Sequence, residues 1–274
     1  MAPPTKRQRQ RDSREARQRA IRARQKKAQR QRLAIIVFTA VVLVLGVSAF
    51  VVSGDGGATK VETASDTTTA SSVATGQPAS LAPVPAGERV TGDTPCPKTD
   101  GSSPRTSTFE KPPPMCISPA RSYSAEITTS KGKFTISLDA KAAPNTVNNF
   151  VILARYKYFD GIPFHRIIPN FVVQGGDPTA SGTGGPGYKF DDELPRAGAY
   201  KEGSVAMANS GPNTNGSQFF IVTGQAGVGL PPNYSLFGQV SDGMDVVKSI
   251  EAVGTPEGKP TQAVHIASIT IKES

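Results

Sequence analysis

The chain has no tryptophan, two cysteines and two histidines in 274 residues. A closed structural zinc site takes four Cys or His ligands. Cys96 and Cys116 are near each other, but His165 and His265 are far off in sequence, which argues against such a site. The two histidines suggest no catalytic triad either. Residues 1–32 hold no aromatic side chain that could stack on a base, and Ser53–Pro95 holds none of any kind. That second stretch is rich in Ser, Thr, Ala, Gly and Pro, and cannot bury enough apolar area to offset the entropy of ordering it. It reads as a flexible tether, spanning on the order of 35 Å r.m.s..

Charge is just as uneven. The formal net charge is +9, yet residues 1–32 carry 13 Lys and Arg against Asp12 and Glu15, and the remainder is slightly acidic. Such a tail could bind nucleic-acid phosphates without specificity. The next segment points elsewhere. Residues 33–52 run for twenty positions without a charge and with Thr39 and Ser48 as their polar interruptions. At ~1.5 Å per residue they span roughly 30 Å, the hydrocarbon core of a bilayer. A cleaved signal peptide is the rival reading, with Val47-Ser48-Ala49 as a possible cleavage site, but signal-peptide apolar regions run about 7–15 residues. The positive-inside rule places 1–32 in the cytoplasm and everything after Val52 outside. The tail is then a topology signal that also touches anionic lipid, and no specific nucleic-acid partner is expected.

Outside the membrane two cysteines have one possible pairing, and an oxidising compartment favours it. A Cys96–Cys116 bond closes a loop of about 20 residues, worth roughly 3 kcal/mol in the loop-entropy model. Free thiols and a metal site are the alternatives. The domain reading is therefore a basic tail 1–32, a transmembrane helix 33–52, a flexible linker 53–120 containing the Cys96–Cys116 loop, and a folded domain 121–274.

Within that domain, alternation predicts strands over 123–129 and 133–138, joined around Ser130-Lys131-Gly132. Pro144 precedes Val147, Phe150, Val151 and Ala154 at helical spacing, one apolar face of a helix. Short β-type runs come next at 162–168, 171–174, 204–208, 218–223 and 237–240. A second helix fits 244–251, and a last strand 264–272. Many short strands with two helices suggest a mostly-β closed barrel.

Three segments stand out in order and spacing: Phe164-His165-Arg166-Ile167-Ile168-Pro169-Asn170-Phe171-Val172-Val173-Gln174-Gly175-Gly176-Asp177, then Met207 to Phe220 (MANSGPNTNGSQFF), then Asn233-Tyr234-Ser235-Leu236-Phe237-Gly238-Gln239-Val240. Together they resemble the cyclophilin family over about 123–273, and the layout of the whole chain looks like the membrane-anchored cyclophilins of bacterial envelopes. The resemblance implies an eight-stranded antiparallel barrel capped by two helices, with peptidyl-prolyl cis–trans isomerase activity on proline-containing polypeptides and no cofactor or metal. It implies that Arg166 is the catalytic donor and that Gln174 orients it. It assigns the proline pocket to Phe171, Val172, Phe220 and Leu230. Asn209, through its main chain, and Gln218 would hydrogen-bond the substrate backbone. On a regular strand Arg166 would share a face with Phe164 and Ile168.

The sequence departs from the family pattern in places. Val172 stands where many members have methionine, Tyr234 where many have histidine, and Gly229 falls near where cyclosporin-sensitive members carry tryptophan. These departures argue against strong cyclosporin binding. A catalytically weak proline-binding chaperone or scaffold is the alternative to an enzyme. Gly182-Thr183-Gly184-Gly185-Pro186-Gly187 satisfies a dinucleotide-binding pattern, but it lacks the strand-to-helix context such a site needs. It reads as a surface loop beside the groove, and Asp191, Asp192 and Glu193 as a solvated acidic loop.

Overall fold

In the computed structural model the described residues are 84–274. The basic tail, the expected membrane span 33–52 and the linker as far as residue 83 lie outside them. Among the described residues no helix is long and apolar enough to cross a membrane.

Ten strands and three helices are formed among these residues. Strands β3 (Tyr123–Thr129) and β4 (Gly132–Leu138) make the expected hairpin. Helix α1 spans Pro144–Arg155, with Pro at its start, where no N–H is needed. Its apolar face, including Val147, Phe150 and Val151, is fully buried. The Phe150 ring meets Phe159, Phe219 and Phe237 at 5.2, 5.5 and 5.2 Å between centroids. The sheet continues through β5 (Arg166–Ile168), β6 (Val172–Gly175), β7 (Ser204–Met207), β8 (Phe219–Val222), β9 (Leu236–Asp242) and β10 (Ile266–Glu273). Helix α2 (Gln225–Val228) is a single short turn that the sequence did not suggest, and α3 (Met244–Glu251) is the expected second helix.

The strand order is β10-β3-β4-β9-β7-β8-β6-β5, and every neighbouring pair is antiparallel. The closed barrel expected from the sequence is not formed: this is an open half-barrel. Its end strands β5 and β10 share no ladder, and the seam carries one isolated bridge, Pro163 to His265. The run 162–168 was expected to be one strand, but pairing starts at Arg166. Residues 162–164 instead face 264–266 across the seam, where the Phe164 and Ile266 N–H groups donate to the Val264 and Ile162 carbonyls around the Pro163–His265 bridge.

A second correction concerns the linker. Residues 84–120 are folded against the domain. Strand β1 (Glu88–Val90) pairs in parallel with β2 (Thr106–Phe109) as a separate two-stranded sheet. Phe109 and Ile117 are buried in the main core. The Arg105 guanidinium donates to the carbonyls of Pro85, Lys157 and Tyr158. Cys96 and Cys116 are disulfide-bonded, with 5.6 Å between their Cα atoms. The low aromatic content that marked 53–95 as a tether says little about 96–120, where Phe109 anchors the chain.

Two carboxylates lock the ends of α1. Glu193 accepts from the N–H groups of Asn145 and Thr146 and from the Thr146 hydroxyl at 2.7–3.0 Å. It satisfies orphan donors at the positive end of the helix. At the other end the buried Arg155 reaches Glu273 on β10 at 2.7 Å, and Arg121 shares that carboxylate. Hydrogen bonding by Arg155 holds the Glu273 carboxyl below the usual glutamate range. A carboxyl with a depressed folded-state pKa contributes stability above its unfolded pKa and loses it as pH falls through the folded one. Glu273→Gln is therefore expected to cost about 1–2 kcal/mol at pH 7, less than a fully buried pair because the carboxylate keeps some exposure. The cost should fade in urea titrations run progressively below pH 5. An equal cost at pH 7 and pH 3 would show that charge pairing with Arg155 is not its source.

Candidate active site

The site arises from the register of the sheet. Arg166 on β5 is opposite Gln174 on β6, Gln174 is opposite Phe220 on β8, and Phe220 is opposite Ala206 on β7. One row of side chains thus crosses four strands. Because side chains alternate between faces, the neighbours of this row point the other way: Ile167, Val173, Ile221 and Val205 belong to the main core. The face carrying the row has its own smaller apolar cluster. Val172, Ala206, Phe220 and Val222 are buried in it, and Phe171, Leu230 and Tyr234 pack against them half-exposed.

A slot of about 190 Å³ opens on this cluster. Arg166, Phe171, Val172, Gln174, Asn209, Phe220, Leu230 and Tyr234 line it, so eight of the nine residues singled out in the sequence meet there. The ninth, Gln218, lines an adjoining pocket of about 180 Å³ that shares Gln174, Ala208 and Asn209 with the slot. The Arg166 guanidinium carbon lies 5.5 Å from the centre of the Phe171 ring, within range of a cation–π contact. Arg166 does not share a face with Phe164, which is buried in the main core beside Phe219. The alternation of β5 does not extend back past its first residue.

Arg166 is held by a relay of amides. Its guanidinium donates to Gln174 Oε1 at 3.1 Å, Gln174 Nε2 donates to Gln218 Oε1 at 3.0 Å, and Gln218 Nε2 donates to the Gly184 carbonyl at 2.9 Å. A guanidinium has five N–H donors, so Arg166 keeps donors for a ligand in the slot. The Asn209 side chain is engaged by the loops, donating to the Asn233 carbonyl and accepting from Gly211. These bonds fix the Asn209 side chain beside the slot.

Two supporting residues were missed in the sequence. Tyr200 is buried, and its hydroxyl donates to the Tyr234 carbonyl at 2.7 Å while accepting from the Tyr234 N–H at 3.2 Å. It fixes the ring of Tyr234, which meets Phe220 edge-on at 5.3 Å. No sequence spacing links positions 200 and 234. Asp177 is fully buried, and its carboxylate accepts from the Thr179 N–H and hydroxyl and from the N–H groups of Gly182 and Gly184. Burial alone would raise its pKa, but these donors outweigh it and hold the carboxyl below the usual range. Asp177 followed two positions on by Thr179 is a turn signal that could have marked it. Through Gly184 it organises the end of the amide relay.

The remaining motifs are structural. Gly182 to Gly187 form an irregular loop with no helix after it. The acidic stretch was expected to be solvated, yet Glu193 caps α1, and Asp192 receives hydrogen bonds from Asn213 and Asn215. Among the described residues no group of His, Cys, Asp and Glu could hold a metal. Burial lowers the pKa of His165, and its two ring nitrogens meet no hydrogen-bond partner in the protein.

Comparison with known proteins agrees with this geometry. Residues 124–271 match the family described as cyclophilin type peptidyl-prolyl cis-trans isomerase. The chain is 45% identical over 150 residues to peptidyl-prolyl cis-trans isomerase-like 1 of Aspergillus fumigatus, covering 53% of this chain and 92% of that one. It is 43% identical over 173 residues to peptidyl-prolyl cis-trans isomerase A of Mycobacterium tuberculosis, covering 56% and 94%. Among solved structures, a cyclophilin type isomerase of Cryptosporidium parvum superposes with a TM-score of 0.51 at 33% identity, covering 56% of this chain and 99% of that one. The same protein has been crystallised in the presence of the dipeptide Ala-Pro. Fold, slot and sequence agree, and the chain belongs to the cyclophilin-type peptidyl-prolyl cis–trans isomerase family.

Proposed function

We propose that this isomerase acts on proline-containing segments of exported polypeptides from the outer face of a membrane, with Arg166 as the catalytic donor. The observation carrying the chemical part is the Arg166 guanidinium, poised over Phe171 at the rim of an apolar slot and oriented by Gln174. Amide resonance gives an X–Pro bond a rotational barrier of about 18–20 kcal/mol. Twisting the bond breaks that resonance and leaves a lone pair on the proline nitrogen. With the ring seated between Phe171, Val172, Phe220 and Leu230, a fixed cation aimed at the nitrogen favours the twisted state over the planar one. That is differential binding of the transition state, and about 4 kcal/mol of it gives a thousandfold acceleration. Main-chain groups of Asn209 and the spare polar valences of Gln218 lie next to the slot and suit the peptide backbone of the substrate. The slot has no tryptophan on its rim, which supports weak cyclosporin binding.

The anchoring part rests on the sequence. The uncharged run 33–52 comes after a tail of strong positive charge, the arrangement that leaves the tail in the cytoplasm and the rest of the chain outside. The Cys96–Cys116 bond suits an oxidising compartment. Added protease should degrade the isomerase domain in bacterial spheroplasts producing the full chain, while an epitope placed within 1–32 stays protected. Protection of both ends would defeat this topology.

Arg166→Ala should lower kcat/KM by about a hundredfold to a thousandfold, roughly 3–4 kcal/mol, with melting temperature and circular dichroism unchanged. Arg166→Lys should fall nearly as far, because a point ammonium does not reproduce the planar fork. Exchange NMR on an X–Pro peptide reads both, and full activity in Arg166→Ala would remove the assigned role. No proton moves in this mechanism. The pKa of His165, next to Arg166 in sequence, is lowered by burial, so it is neutral at pH 7. A flat kcat/KM between about pH 6.5 and 9 is expected in the same assay; an inflection abolished by His165→Gln would contradict it.

A further inference from the structure

The segment 84–118 lies outside the residues that match the family model, yet it touches the wall of the substrate groove. Phe109, at the end of β2, is 1% exposed. Its N–H donates to the Pro186 carbonyl at 2.8 Å. Its ring packs edge-on against Tyr188 at 6.2 Å and against Tyr156 at 5.4 Å. Between Pro186 and Tyr188, Gly187 has φ +110°, and a Cβ there would come within 2.3 Å of the Phe109 carbonyl oxygen. Backbone of the segment and backbone of the loop are thus in direct contact, with no room for a side chain.

Pro186 and Tyr188, together with Gly184, form one wall of the pocket that adjoins the proline slot. Gly184 also ends the amide relay, accepting from Gln218. The loop is fixed on its inner side by the Asp177 carboxylate, and Phe109 fixes it on the outer side. Phe109 itself lies inside the loop closed by Cys96–Cys116. Beyond that bond, the Cys116 N–H donates to Asn148 Oδ1 at 2.8 Å, and the Asn148 side-chain amide donates to the Pro114 carbonyl at 2.9 Å, joining the segment to α1.

We propose that the disulfide-closed segment is a positioning element of the enzyme: through Phe109 it holds the 186–188 wall against the pocket beside the slot, and so sets how substrate residues flanking X–Pro are bound. This rests on the isomerase reading of the slot. The segment's contacts with the loop fall on Pro186, Gly187 and Tyr188, whereas Gly184, which ends the relay to Arg166, is held separately by the Asp177 carboxylate. Loss of the segment therefore acts on long substrates, which reach the adjoining pocket, and spares the shortest ones, which fill the slot alone.

Two perturbations of the full chain test this. Cys96→Ser with Cys116→Ser opens the loop around Phe109, and Gly187→Ala pushes the wall away from the Phe109 carbonyl. Exchange NMR is run over a range of concentrations on acetyl-Ala-Pro-amide and on a hexapeptide with central Ala-Pro. The expected result is a threefold to tenfold rise in KM for the hexapeptide, with its kcat within twofold of wild type and the dipeptide unchanged. Dithiothreitol should reproduce the shift in wild-type protein and have no effect on the double serine variant. Should the serine variant not fold, the Gly187→Ala and dithiothreitol arms still decide. Equal losses on both peptides would mean a merely structural role and overturn the proposal, as would no change on either. Absence of wild-type turnover on both peptides would overturn the isomerase reading of the slot, and this proposal with it.

Discussion

One chain of hydrogen bonds sets the geometry of the site: Arg166 to Gln174, Gln174 to Gln218, Gln218 to the Gly184 carbonyl. An arginine side chain free in water samples many rotamers, and restricting it costs up to about 2 kcal/mol. That cost is met on folding, by amides already fixed to β6 and to the start of β8. When a substrate arrives, the guanidinium does not have to be ordered again. Preorganisation of this kind separates a cation that stabilises a transition state from one that merely sits near it.

The sheet explains why these residues coincide. Period-2 alternation makes Val173 and Ile221 core and leaves Gln174 and Phe220 on the opposite face. Antiparallel register then aligns Arg166, Gln174, Phe220 and Ala206 across four strands. A shift of one residue in the β5–β6 pairing would turn Ile167 toward the slot and Arg166 into the core. An unpartnered guanidinium there would be severely costly. Stability of the fold and placement of the donor thus depend on the same register.

Local pattern reading succeeded where local rules decide. The hairpin 123–138, α1 with Pro144 at its start, α3, and the slot residues carried by three contiguous motifs were all visible in the sequence. Failures have long-range causes. Closure of the sheet depended on how β5 and β10 meet across nearly a hundred residues, and they meet only through 162–164 and 264–266, with no ladder between the strands themselves. The two-stranded sheet β1–β2 is too short and too polar to show alternation, and it exists because Phe109 and Arg105 dock on the distant 156–158 turn. Tyr200 and Tyr234 meet across 34 positions that carry no periodic signal. Glu193 looked like part of a solvated acidic loop because its partner, the first turn of α1, is 47 positions away.

The outer face of the sheet is where the chemistry can take place. A barrel with a filled interior offers no interior site, so a ligand must be received on the outer face. There, Phe171, Leu230 and Tyr234 remain half-exposed around the buried Val172 and Phe220. A soluble domain normally covers such side chains, since each costs about 25 cal/mol for every Å² of apolar surface left in water. A proline ring has the size and polarity to cover them, and it brings its own nitrogen with it. The residual apolar exposure that the fold tolerates and the affinity that draws proline into the slot are the same free energy. Because that energy grips planar and twisted substrate alike, it raises occupancy without raising turnover. In the function proposed above, acceleration is left to Arg166, the one charged group at the rim, which would meet the nitrogen once the amide loses its planarity.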